Sequence, residues 1–222
     1  MDFLFGSKIL VIAPHNDDEL IGCWFLMQRL VGNAHIRIVV VTIHDDDQTL
    51  TAKRQEETRT ALARIGISEI EYWGFSDGRV NGNTPQLRDH MSKEVANHDF
   101  VFAPAPNDLT PDHKAIAQVA VELVGAERLV WYRSTWWTFT ARGADFVVKG
   151  KFSEKRAALS CFKTQSHIGL LRGLIMSVFE ELLASGRFCA VERFKFACKN
   201  DLATAPLNSI SIRHMPRLIF WR

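Results

Sequence analysis

The chain has 222 residues, 47% hydrophobic and 23% charged, with a formal net charge of +2. That length suits a single domain spanning residues 1–222 with a proper core, and the scattered Lys and Arg exclude a nucleic-acid footprint. No stretch approaches the ~20 apolar residues that cross a bilayer. The first apolar run is too short, and ends too acidic, for a signal peptide. Cys23, Cys161, Cys189 and Cys198 form no CxxC pair. They are expected to be free thiols of a reducing cytoplasm, with Cys23 on the apolar side of its helix.

In chain order, KILVIAPHNDDELIGC (Lys8 to Cys23) comes first. Five apolar residues, Ile9 to Ala13, run into Pro14 and then His15-Asn16-Asp17-Asp18-Glu19. A helical apolar pattern follows from Leu20. Ile36 to Ile43 is a β-branched run of the kind found in central parallel strands covered on both faces, and it ends in His44-Asp45-Asp46-Asp47. Leu50 to Ile65 reads as a helix stopped by Gly66. Glu69 to Trp73 reads as a strand leading to a turn at Gly74 to Gly78, and Pro85 to Asn97 as a helix. Phe100 to Ala103 is a fourth strand, and Pro111 fits the first turn of a helix reaching about Gly125. Leu129 to Arg133 is a fifth. Thr135 to Val148 has the aromatic content of edge strands or a hairpin. Helices are predicted from Ser153, as N-cap, to Gln165 and from Ile168 to Ser185. Strands are predicted at Phe188 to Phe196 and Ile210 to Arg213.

This alternation predicts an α/β fold: a Rossmann-like, open, mostly parallel sheet with helices on both faces in three layers, then a small mixed strand and helix part. Ligands in such sheets bind beyond the carboxyl ends of the strands. That rule gathers His15 to Glu19, His44 to Asp47, Asp77 and Asn107 to His113. No GxGxxG follows the first strand, so a dinucleotide site is not expected.

So many charges at the end of a core strand require a counter-charge, and a metal ion is the simplest. His15 and Asp18, three apart at a strand-to-helix turn, are able to reach one ion, and His113 is the best third ligand. Two His and one carboxylate with an open position suit catalytic zinc. Asp17 fits the general base beside the metal water, and Asp112 is placed to orient an imidazole. Without a metal, the same acids would be helix N-terminal residues favoured by the dipole.

PHNDDELIGC resembles the PHPDDE signature of the PIG-L/LmbE-like family of zinc-dependent N-acetylglucosaminyl deacetylases, and Thr110-Pro111-Asp112-His113 resembles its HPDH signature. Arg54-Gln55-Glu56-Glu57 with ALARIGI, YWGFSDGRV, KRAALSCFKTQ and AVERF are similar to further family segments in the same order. The resemblance implies Zn2+ on His15, Asp18 and His113, with Asp17 as base. It implies Arg54 and Asp77 as holders of sugar hydroxyls, although a surface arginine and a turn aspartate read the same. Glu19 is expected as a helix N-terminal or supporting acid rather than a ligand.

Two positions depart from the family pattern. Asn16 replaces a proline and removes no ligand. Thr110 replaces a histidine that in the family stabilises the oxyanion or protonates the leaving amine, and threonine carries no charge at neutral pH. His44, His167 and Asp108 are the available substitutes. The expected function is zinc-dependent removal of the N-acetyl group from an acetamido sugar or glycoconjugate. A catalytically impaired glycan-binding protein and a metal amidohydrolase of a non-sugar amide are the alternatives. Trp131, Tyr132, Trp136 and Trp137 are candidates for stacking on sugar rings or for packing. The tail RHMPRLIFWR is compatible with a core cap, a membrane surface or a second subunit. The sequence does not set the oligomeric state.

Overall fold

A computed structural model of the chain describes residues 1–134 and 138–198, with the side chains of residues 166–168 excepted. Its strands are β1 (Lys8–Ala13), β2 (His35–Ile43), β3 (Ile70–Ser76), β4 (Phe100–Pro104), β5 (Leu129–Tyr132), β6 (Phe146–Gly150) and β7 (Ala190–Phe196). Its helices are α1 (Asp18–Leu30), α2 (Gln48–Ala63), α3 (Thr84–Val95), α4 (Pro111–Leu123), α5 (Phe152–Leu159) and α6 (Leu170–Ser185). The strands form a single seven-stranded sheet in the order β3-β2-β1-β4-β5-β7-β6. The first five pair in parallel, while β7 runs antiparallel to both β5 and β6. The fold class read from the sequence is therefore the observed one.

Period-two alternation divides each strand between two cores. Ile9, Val11 and Ala13 of β1 face a cluster with Leu20, Cys23 and Leu26 of α1, Leu62 of α2, Ala158 of α5 and Leu174 of α6. Leu10 and Ile12 face the opposite cluster with Leu87 and Met91 of α3 and Ile116 and Val119 of α4. Burying each such side chain contributes about 1.5–3 kcal/mol before chain entropy is counted. Strand order reverses between β1 and β4. Open sheets of this kind form their ligand crevice at that point.

Helix α1 lies very close to β5. A Cβ on Gly22 would meet the Tyr132 ring at 2.2 Å, so only glycine fits. Tyr132 and Trp131 are both core residues, and the Tyr132 hydroxyl donates to the Ile12 carbonyl at 2.9 Å. Of the two readings open for them, packing is the observed one: β5 lies inside the sheet, between β4 and β7. Further along α1 the Glu192 carboxylate accepts the backbone N–H of Phe25 (2.9 Å) and Leu26 (3.0 Å). The Lys155 ammonium donates to the Ile21 carbonyl and to Glu192, each at 2.6 Å. The Phe25 N–H and Ile21 carbonyl are the partners of one rung in a regular helix. Here a buried ion pair also contacts both.

Several boundaries differ from the sequence reading. Helix α5 is capped at Lys151 rather than Ser153, since Phe152 is already helical. It ends at Leu159, and Gln165 lies in a separate 3-10 turn, Lys163–Ile168. Helix α6 starts at Leu170 because Gly169 adopts φ +72°. Between β5 and β6 lies a 3-10 turn at Ala141–Gly143, and β6 is an edge strand paired with β7, as one of the two readings of this stretch had it, and not a hairpin of its own. Trp136, Trp137, the strand expected at Ile210 to Arg213 and the tail from Arg213 lie outside the described residues, as does the His167 side chain. No helix among the described residues is long and apolar enough to cross a membrane.

Candidate metal centre

The turn after β1 is built to hold its carboxylates in place. Thr42 of β2 donates its backbone N–H (3.0 Å) and its hydroxyl (2.8 Å) to the Pro14 carbonyl, which fixes the end of the strand. Asp17 adopts φ 128°, the only positive φ outside glycine among the described residues. A side-chain-bearing residue in that region is strained by about 1–3 kcal/mol. The surroundings hold it there. Its N–H donates to Glu19 Oε2 at 3.0 Å, and its carbonyl accepts from Leu20 (2.9 Å) and Ile21 (2.8 Å). Asn16 is buried, and its amide donates to the Thr58 hydroxyl of α2 at 2.9 Å. A hydrogen bond thus restrains this position, where the family has a proline ring.

His113 enters from the first turn of α4, beyond β4. Three atoms converge: His15 Nδ1, Asp18 Oδ2 and His113 Nε2. His15 Nδ1 and His113 Nε2 each lie 3.2 Å from Asp18 Oδ2, and 3.3 Å from one another. Equal separations of that size are the edges of a tetrahedral site with arms of about 2.0–2.1 Å. The outer nitrogens of the imidazoles decide what those atoms carry. His113 Nδ1 faces Asp108 Oδ2 at 3.1 Å, and His15 Nε2 faces Asp77 Oδ1 at 3.2 Å and Asp112 Oδ2 at 3.3 Å. Carboxylates only accept, so each ring keeps its proton on the outer nitrogen and turns a lone pair inward. In the neutral rings three lone pairs then meet at one point, an arrangement suited to a cation. This donor set fits a bound divalent ion.

The electrostatics show that this cluster draws positive charge, which protons supply where no cation is bound. Burial would raise Asp18, but His113 and His15 outweigh it and hold the carboxyl well below its usual range. Burial would lower His113, yet Asp18 and Asp108 push it up to about 9. Burial also opposes the charge on His15, and Asp112, Asp18 and Asp77 drive it well above the ordinary value. Asp17 and Glu19 behave differently. Burial, then Asp18 and Glu19, push Asp17 well above the carboxylate range. Burial takes Glu19 up to about 8, and its Oε2 accepts the Asp17 N–H.

Asp112 is buried and accepts the N–H of Gly78 (2.7 Å) and Val80 (3.1 Å), so it ties α4 to the loop after β3 as well as touching His15. Asp108, one of the candidates for a proton donor, is corrected. Burial would raise it, but His113, Ser134 and the Thr110 N–H bring it down to about 2. It is a fully buried carboxylate that accepts the Ser134 hydroxyl at 2.6 Å and holds His113. Thr110 is the N-cap of α4, and its side chain makes no capping bond. His44 lies at the rim, with Nε2 3.3 Å from Asp77 Oδ2 and in contact with Arg54 Nη1 of α2. Burial, then the Arg54 charge, lowers the His44 pKa, so a neutral ring accepts from the guanidinium. The structure thus brings together His15, Asp18, His113, Asp112, Asp77, His44 and Arg54.

Asp108, Ser134, Thr58 and Gln165 also belong to the centre. Asp108 was legible as a loop acid. Gln165 was visible only as part of the KTQ segment, and nothing near Ser134 or Thr58 in sequence marks them.

The fold and this His-Asp-His group define an α/β protein with a group that could hold a metal ion at the strand-order reversal. Residues 10–124 match the PIG-L family model, described as GlcNAc-PI de-N-acetylase, and the chain belongs to that family of deacetylases. It is 28% identical over 173 residues to the uncharacterized deacetylase YaiS of Escherichia coli, covering 70% of this chain and 90% of that protein. Among solved structures, the conserved protein TT1542 from Thermus thermophilus superposes with a TM-score of 0.72 at 22% identity. That match covers 86% of this chain and 95% of the other. An N,N'-diacetylchitobiose deacetylase from Pyrococcus horikoshii gives 0.62 at 18% identity, covering 85% and 84%. These two share the fold.

Proposed function

We propose that the protein is a zinc-dependent N-deacetylase acting on the acetamide of an N-acetylglucosamine-like sugar, free or in a glycoconjugate. The observation that carries this is the convergence of three inward lone pairs beside a buried, strained Asp17. His15 Nδ1, Asp18 Oδ2 and His113 Nε2 would hold the ion. A bound zinc supplies an acidified water and a Lewis acid for the carbonyl oxygen. Nitrogen-rich ligands and availability favour zinc over other divalent metals.

Asp17 takes the proton of the attacking water and returns it to the amine as the C–N bond breaks, leaving acetate and a free amino sugar. Asp108 and Asp112 hold the two imidazoles in the tautomer the ion needs. Arg54 and Asp77 stand at the rim, where a donor and an acceptor meet sugar hydroxyls. Thr110 and His44 are the polar groups at hand for the role that a histidine plays at the first position of HPDH.

The test is acetate release from N-acetylglucosamine and its β-linked dimer by the zinc-loaded protein, with Asp17→Asn as control. A zinc-loaded Asp17→Asn protein with undiminished turnover would overturn the mechanism. Thr110 itself favours a second reading, a zinc-loaded sugar-binding protein with little turnover. Saturable sugar binding with no acetate release over a broad panel would select it.

A further inference from the structure

We propose that Gln165 is a positioning residue for the general base. It holds Asp17 by Oδ2, so that Oδ1 exchanges the proton; this rests on the reading of Asp17 given above. Gln165 is 1% exposed. Its Nε2 donates to the Asn16 carbonyl at 2.6 Å and to Asp17 Oδ2 at 3.0 Å. Both partners are acceptors, so the amide has only one workable orientation. That orientation strands Oε1, which is buried without a partner among the described residues. An unpaired buried acceptor costs about 1–3 kcal/mol. A glutamine kept only to fill space incurs that cost for nothing, since a leucine or methionine would avoid it.

The neighbouring turn explains how the amide is aimed. Thr164 donates its N–H (2.9 Å) and its hydroxyl (2.6 Å) to the two oxygens of Glu57, clamping the 3-10 turn to α2. Asp17 is then tethered at three points: its N–H on Glu19, its carbonyl on α1, and Oδ2 on Gln165. The backbone at φ 128° sets where the carboxylate sits, and Gln165 sets its rotation. Neither alone orients a proton-transferring oxygen.

The experiment compares zinc-loaded wild type, Gln165→Leu and Gln165→Glu, with bound zinc and thermal melting recorded for each. With N-acetylglucosamine as probe, Gln165→Leu is expected to lose about 10- to 100-fold in kcat at unchanged zinc content and nearly unchanged KM. Gln165→Glu, which sets an acceptor against two acceptors, is expected to fall at least as far. If the residue only packs, the isosteric glutamate is the milder change. A folded, zinc-loaded leucine variant within about twofold of wild type, or a glutamate variant equal to it, overturns the proposal.

A second readout needs no turnover and covers the case where a variant fails to fold. In heteronuclear NMR of the wild type, the Gln165 side-chain amide should exchange slowly with solvent and shift in Asp17→Asn, but not in the remote Arg88→Ala. An amide that exchanges at the solvent rate, or is blind to Asp17→Asn, overturns the assignment. If the amide is held and shifted but Asp17→Asn keeps full turnover, the reading of Asp17 as base fails, and this proposal with it.

Discussion

His113 and His15 face the same point from opposite sides, and their supports differ. Behind His113 stands Asp108, fully buried, bound to Ser134 and the Thr110 N–H, and settled as an anion. Behind His15 stand two carboxylates. Asp112 is buried and committed to two backbone amides, but Asp77 keeps 34% of its side chain exposed and also faces His44. One support is closed and single-purpose. The other opens toward Arg54 and the rim. The difference suggests that metal holding is anchored on the α4 side, while the β1 side couples the metal to whatever enters the crevice.

Removing a ligand erases the contrast altogether. His113→Ala should drop bound zinc far below stoichiometry in metal analysis and reduce acetate release by about a thousandfold or more. Asp108→Asn tests the closed side. It leaves an amide against His113 Nδ1, and zinc affinity should weaken by about 10- to 100-fold in a chelator competition. Asp77→Asn tests the open side, and its zinc affinity should change by less than about 10-fold while KM rises more than kcat falls. Equal metal losses in the two variants would break the comparison. Thr110→His, at the N-cap of α4, should raise kcat by roughly tenfold if the missing donor limits turnover. The smallest effect at the metal is expected for Gly22→Ala. Its new methyl collides with Tyr132 and should cost about 1–3 kcal/mol in denaturant melts, with zinc stoichiometry unchanged.

Much of this was legible in the sequence because it is local. His15, Asp17 and Asp18 share one turn, and the parallel alternation up to β5 follows from the spacing of apolar runs. His113 was reachable only by the rule that strand ends converge. The supports were harder to see. Ser134, Thr58 and Gln165 act across separations of 21 to 149 residues, and no local pattern marks a polar residue for such a contact. Asp108 looked like a proton donor because its enclosure by His113 and Ser134 is a tertiary fact. The insertion of β7 between β5 and β6 was equally invisible, since alternation in β7 gives a face but not a neighbour. Trp131 and Tyr132 stayed open between sugar stacking and packing for that reason.

Glu192 and Lys155 give the assembly of this chain an order. Every metal donor lies by residue 113, and a ribosome has delivered all of them long before α5 and β7 exist. Helix α1, which carries Asp18, gains contacts at two amides and a carbonyl only once residues 155 and 192 are made. The helix that carries Asp18 thus lacks its buried ion pair until the last described strand is made. Zinc capture during synthesis should therefore lag the appearance of its ligands, and a chain halted before β7 should hold the metal loosely.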